Sequence, residues 1–180
     1  MKLIATSIPD VILIEPRVFG DARGFFYESW NARDFAQNGI DASFVQDSHS
    51  RSTRGVLRGL HYQIQQPQGK LVRAVAGEIF DVVVDIRKSS PTCGRHVAVR
   101  LSADTRQMLW VPAGFAHGFY VLSDYAEILY KQTAPYAPQH ERSLLWNDTE
   151  LAIDWPLAGA PLLSEKDKAG LPFRQAEIFP

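Results

Sequence analysis

Short runs of apolar, β-branched and aromatic residues recur along the chain, each bounded by turn-forming residues: VILIEPRVF, GFFYESW, SFVQDSHS, VLRGLHYQI, KLVRAVAG, EIFDVVVDI, HVAVRLS, QMLWVP, HGFYVLS and EILYKQT. Runs of this length predict strands, and their succession without helical patterns between them predicts an antiparallel sandwich or barrel. Helical signals are confined to two places. Asn31 is placed to cap a short helix through ARDFAQN that stops at Gly39, and Ser164 to cap a turn through EKDKA that stops at Gly170. Both are peripheral. The expected fold class is therefore all-β, a jelly roll with short helices at its margins.

Turn residues are spread evenly, and no repeat, low-complexity tract or charge block divides the chain, so residues 1–180 read as one domain. A composition that is 46% hydrophobic and 22% charged suits a packed core. The 19 Lys and Arg nearly balance the 20 Asp and Glu, which leaves no overall field for nucleic acid or an anionic membrane. Any bound anion must be held by a local cluster. No apolar stretch is long enough to span a bilayer, MKLIATSIPD lacks a signal-peptide core, and the lone Cys93 has no intrachain partner. The expected location is the cytoplasm.

Chemistry first enters in RGLHYQIQQPQGKLVR, which reads as a hairpin with His61 and Lys70 on neighbouring strands. Strict alternation along VLRGLHYQI places Leu57, Gly59, His61 and Gln63 on one face and Arg58, Leu60, Tyr62 and Ile64 on the other. A His and a Gln sharing a face with Gly predict a polar pocket closely approached by a ligand. A hydrogen-bonded core histidine satisfies the same pattern.

His61 is followed by Tyr62 and Gln63, where a metal-binding jelly roll would carry a second His, and His117 in PAGFAHGF adds only another lone imidazole. The expected pocket therefore holds no metal or other cofactor and leaves proton chemistry to side chains. The candidates are His61 as base, Tyr130 in EILYKQ as acid and Lys70 as a fixed positive charge. Taken singly, Tyr130 also reads as strand packing and Lys70 as a solvated turn residue. Asp167 stands three residues after Ser164, a capping-box spacing with Asp in place of Glu.

Together, DARGFFYE, QDSHS, GVLRGLHYQ, GKLVR, GEIFDVVVDIR, PAGFAHGF, the Tyr and Glu of YAPQHE, and LSEKDK resemble the dTDP-4-dehydrorhamnose 3,5-epimerase family of dTDP-rhamnose biosynthesis, nearly end to end and in order. The resemblance implies a cupin-type jelly roll without metal, a homodimer, and inversion at C3 and C5 of dTDP-4-dehydro-6-deoxyglucose. It implies His61 as general base, Tyr130 as general acid, Asp167 as the carboxylate paired with the histidine, and Lys70 near the ketone. It also puts Arg23 and Arg58 in the substrate site, suited to the phosphates, and Tyr136 on the thymine. Glu28, Gln46, Asp47, His117, Glu141 and Lys166 are implied as further ligand contacts.

Ser48 departs from the family, which commonly has Asn there, and shortens a polar contact to the nucleotide. Capping and pairing with His61 are expected to compete for the single carboxylate of Asp167. In the implied homodimer, VILIEPRVF is expected to complete a partner's sheet by edge pairing. Arg73 has no expected role. The residues leave other readings open: a relative that inverts one carbon, a ketoisomerase, a binding jelly roll without catalysis, and a metal-dependent oxygenase.

Overall fold

The computed structural model describes residues 1–180. Thirteen strands follow in order: β1 (Lys2–Ala5), β2 (Ile12–Glu15), β3 (Phe19–Asp21), β4 (Gly24–Phe26), β5 (Gln46–Thr53), β6 (Leu57–Gln63), β7 (Lys70–Ala76), β8 (Glu78–Asp85), β9 (His96–Ser102), β10 (Met108–Val111), β11 (Phe115–Val121), β12 (Tyr125–Gln132) and β13 (Glu141–Ser143). The helices are α1 (Ala32–Gln37) and α2 (Glu165–Lys168). No helix is long and apolar enough to cross a membrane. All ten apolar runs contribute strand residues, while β1 and β13 are too short to stand out in the pattern.

A six-stranded antiparallel sheet, in the order β1-β2-β10-β7-β12-β5, faces a five-stranded one, in the order β13-β6-β11-β8-β9, and β3 with β4 forms a separate hairpin. This is a jelly roll of the cupin type. Inward residues of both sheets, among them Val72, Ile79, Val83, Leu109, Phe119 and Ile128, make the central apolar cluster. Leu57, Leu60, Tyr62, Val82, Val84 and Tyr120 pack on the outside of the five-stranded sheet against Leu144, Leu151 and Trp155 of the C-terminal segment. A third cluster joins the six-stranded sheet to Phe35 of α1. Asn31 caps α1, as its sequence predicts, by accepting from the backbone N–H of Asp34 at 3.3 Å.

Three expectations need correction. First, β6 and β7 are not a hairpin: β6 pairs with β11 and β13, and β7 with β10 and β12. Both edges of each strand are taken, and residues 64–69, with Pro67 among them, carry the chain from one sheet to the other. Second, the segment VILIEPRVF cannot extend a partner's sheet through β2, which lies between β1 and β10. Pro16 ends that strand early, consistent with its missing N–H.

Third, alternation along β6 breaks at Gly59. Opposite the step from His117 to Phe119, β6 runs from His61 back to Arg58, one residue more than its partner, which marks a bulge. Past it, Leu60 and Tyr62 face outward as expected. Before it, the phase reverses, so Leu57 joins the outer cluster and Arg58 turns to the same cavity as His61.

Candidate active site

The apolar core fills only part of the space between the sheets. The rest is a cavity of about 550 Å³, within the usual range for small-molecule sites. The six-stranded sheet lends it Ser48 and Ser50 from β5, Lys70 from β7, and Tyr130 and Gln132 from β12. The facing sheet lends Arg58, His61 and His117, with Glu141 at the start of β13. Ser164, Lys166 and Asp167 close one side from α2 and its cap. Imidazole and phenol thus enter one cavity from opposite sheets, and the Lys70 ammonium crosses from the phenol's sheet to within 3.4 Å of the His61 carbonyl oxygen.

Asp167 serves both of its expected roles, because the two carboxylate oxygens divide the work. Oδ1 lies 2.7 Å from His61 Nε2 and accepts the Gly59 N–H at 3.0 Å. Oδ2 accepts the Ser164 hydroxyl and backbone N–H, completing the capping box. The expected competition does not arise. Burial disfavours the ionised carboxyl, yet the bonds from His61, Ser164 and Gly59 outweigh it and hold Asp167 well below the usual carboxylate range. With Nε2 directed at this anion, Nδ1 of His61 is the nitrogen left to take a proton. Burial lowers the affinity of His61 for a proton, the bond to Asp167 opposes that, and the ammonium groups of Lys166 and Lys70 reinforce it, so the net direction is down. The ring is therefore neutral near pH 7.

Burial brings Lys70 down to about 8, against the attraction of Glu141 and Asp81. Burial pushes Tyr130 up, and its hydroxyl lies 3.1 Å from Ser50 Oγ. His117, paired in register with His61, directs Nε2 at both oxygens of the fully buried Asp81, at 3.0 and 2.9 Å, and presents an edge to Tyr130. No group of three or more His, Cys, Asp or Glu side chains is arranged to hold a metal ion.

At the mouth, Tyr136 Oη donates to Glu141 Oε2 at 2.7 Å, and Glu141 Oε1 accepts from Lys166 Nζ at 2.5 Å. The loop carrying Tyr136 is fastened from below. Its N–H bonds Gln46 Oε1 at 2.8 Å, and Gln63 accepts the next N–H, of Ala137, while donating to the Gln66 and Pro135 carbonyls. Gln63 therefore supports the site instead of facing a ligand. Ser48 stands between Gln46 and Gln132, 3.1 Å from each. The Arg58 guanidinium is exposed at the cavity, with Nε on Ser52 Oγ at 2.9 Å.

Three expected contacts lie elsewhere in this chain. Arg23 is on the β3–β4 hairpin, its side chain 90% exposed and paired with Asp21. Glu28 accepts from Asn31 near α1, and Asp47 points off the outer face of the sheet onto Lys131. Arg73 also turns outward, donating to Tyr27 Oη at 3.1 Å. Residues that sequence reasoning passed over are Ser50, Ser52, Gln132 and Asp81. The signal for Asp81 was present: one acidic residue at an inward position of the apolar run EIFDVVVD.

The chain is similar to known proteins over nearly its whole length. Residues 5–175 match the family model described as dTDP-4-dehydrorhamnose 3,5-epimerase. The chain is 65% identical over 181 residues to the dTDP-4-dehydrorhamnose 3,5-epimerase of Pseudomonas aeruginosa, covering 100% of both chains. It is 56% identical to that of Shigella flexneri, covering 99% of both. The crystal structure of the Legionella pneumophila dTDP-6-deoxy-D-glucose-3,5-epimerase in complex with dTDP-4-keto-L-rhamnose superposes with a TM-score of 0.96 at 52% identity, covering 98% of this chain and 94% of that one. With a family model matched over residues 5–175, a relative 65% identical over the full length and a fold that superposes over 98% of the chain, the chain belongs to the dTDP-4-dehydrorhamnose 3,5-epimerase family.

Proposed function

We propose that this chain carries out its family's reaction as an isomerase, inverting C3 and C5 of dTDP-4-dehydro-6-deoxyglucose to give dTDP-4-dehydrorhamnose for dTDP-rhamnose biosynthesis. The observation that carries this reading is the placement of His61 and Tyr130 on opposite sheets around one cavity, with Lys70 lining it 3.4 Å from the His61 carbonyl oxygen. Both carbons adjoin the C4 ketone, so loss of either proton gives an enolate whose charge collects on the same C4 oxygen. His61 takes the proton through Nδ1, and Asp167 fixes the ring and supports the imidazolium. Lys70 stabilises the oxyanion, a contribution worth about 3 to 4 kcal/mol for comparable donors elsewhere. Tyr130 returns a proton from the opposite face, and inversion follows. Arg58 binds the diphosphate through its planar guanidinium, Tyr136 stacks on the thymine, and Glu141 and Lys166 hold the mouth.

The working unit is a homodimer in the cytoplasm. Phe19, Phe25 and Phe26 are more than half exposed on the β3–β4 hairpin, an apolar patch that calls for a partner surface, and Arg23 extends from the same hairpin. In this reading the hairpin crosses to a second copy and brings Arg23 to that copy's diphosphate.

The test is the reaction in D2O with dTDP-4-dehydro-6-deoxyglucose, followed by NMR. Deuterium at both C3 and C5 of an inverted product is the expected result. Incorporation at one carbon would reduce the chain to a monoepimerase, and tight binding without exchange would make it a binding protein.

A further inference from the structure

Strand β5 has a row of side chains to which the proposed reaction gives no part. Its inward positions are Gln46, Ser48, Ser50 and Ser52, every second residue, while Asp47, His49, Arg51 and Thr53 face solvent. A strand packed over a core ordinarily turns apolar residues inward. Here four successive inward positions are polar, and each is bonded to a part of the cavity. Gln46 bonds the backbone of Tyr136, Ser48 bonds Gln132, Ser50 bonds Tyr130 and Ser52 bonds Arg58. Ser50 Oγ, at 3.1 Å, is the one hydrogen-bond partner that the protein gives Tyr130 Oη.

The direction of that bond decides what the phenol can do. If Tyr130 donates to Ser50, its only hydrogen is engaged on β5 and is withheld from the substrate. If Ser50 donates, the phenolic hydrogen is free to point into the cavity. We infer that Ser50 is a positioning residue for Tyr130, donating its hydroxyl hydrogen to Oη so that the phenolic proton faces the sugar and the phenolate left after transfer keeps a hydrogen bond.

The step balances. The enolate π pair forms the new C–H bond as the Oη–H bond breaks, the C4 oxyanion closes to the ketone, and the O–H electron pair stays on Tyr130. The phenolate regains a proton from solvent, and His61 loses to solvent the one it took. Burial is the main influence on the Tyr130 hydroxyl and disfavours the phenolate, as does Asp81, while the bond to Ser50 and the Arg58 charge act the other way. A donor on Oη is therefore most needed at the moment of transfer, when the bond becomes charge-assisted and roughly twice as strong as a neutral one.

The inference rests on the proposed reaction and is tested beside it. Ser50→Ala is compared with wild type and with Ser50→Thr, which keeps the hydroxyl. In D2O the variant is followed for deuterium exchange, which needs His61 and the enolate but no proton from Tyr130, and for inversion, which needs Tyr130. Inversion is expected to fall about 10- to 100-fold in Ser50→Ala. Exchange on the His61 side should stay within about threefold and dTDP affinity within about twofold, while Ser50→Thr restores most of the inversion. Unchanged inversion in Ser50→Ala would overturn the inference, as would exchange and inversion falling in parallel, the mark of a merely structural role. A wild type that neither exchanges nor inverts would overturn the reaction itself; with both present in the wild type, the behaviour of Ser50→Ala bears on the positioning role alone.

Discussion

At the scale of single residues, the proposed reaction asks two groups to hold opposite states. In it, His61 is neutral to accept a proton, and Lys70 is charged to stabilise the oxyanion. Burial and two neighbouring ammonium groups push the imidazole below its ordinary range, and burial brings Lys70 down to about 8. Activity should therefore rise through an acid limb below the ordinary histidine value and fall through an alkaline limb near pH 8. A pH profile of kcat/KM on the free enzyme reads both. Lys70→Arg keeps its charge to far higher pH, so its residual activity should lack the alkaline limb. An alkaline limb that survives in Lys70→Arg would assign it to another group. These residues were legible in the sequence only in combination, through the motifs that carry the family resemblance, since singly the His also reads as core and the Lys as a solvated turn residue. Ser50 and Gln132 were not, because hydroxyls and amides are common in strands and only the facing partner gives them meaning. The two roles of Asp167 could be named but not reconciled, since spacing does not say which oxygen goes where.

At the scale of elements, the face of the cavity that carries His61 depends on how closely β6 and β11 approach. A Cβ on Gly118 would lie 2.6 Å from the Arg58 carbonyl oxygen and 3.1 Å from Gly59 Cα, and one on Gly59 would meet Gly118 Cα at 2.5 Å. Those atoms are backbone and cannot turn aside. Gly118→Ala must therefore separate the strands that carry His61, Arg58 and His117. We expect a loss of about 1 to 3 kcal/mol in unfolding free energy, the scale of overpacking, with a larger fractional loss of activity. Gly159→Ala, where an added Cβ meets nothing within 4 Å, is the matched control and should stay near wild type in both. Melting curves and initial rates measured on the pair decide the matter, and a Gly118→Ala protein as stable and active as the control would contradict it. The same bulge explains why alternation failed at Arg58. A period of two is reliable only within an unbroken ladder, and one extra residue reverses every face beyond it. The supposed hairpin failed for a related reason: a Pro-Gly turn looks the same in sequence whether its strands pair or part.

At the scale of the whole molecule, the jelly roll was legible because ten short apolar runs and so few helical signals admit little else. The assembly was not, since an interface between copies leaves no periodic mark. The structure narrows it. β2 is paired on both sides, so edge addition there is closed, while the β3–β4 hairpin holds its phenylalanines and Arg23 in solvent, away from the cavity of its own chain. If Arg23 serves the neighbouring copy, each site is built from two chains, and defects on different chains can complement each other. Arg23→Ala and Lys70→Met should each be severely impaired as pure dimers. Co-expressed in equal amounts with different tags, they form hybrids in about half of the dimers, and in each hybrid one site receives an intact Arg23 beside an intact Lys70, so about a quarter of all sites recover. The tandem-purified hybrid should then show about half of the wild-type rate, because one of its two sites is complete. Recovery cannot come from a monomer, nor from a dimer whose Arg23 serves its own chain, because every cavity would then still lack one of the two groups. A hybrid no more active than its parents would place Arg23 outside the shared site and leave the exposed aromatic hairpin without this partner.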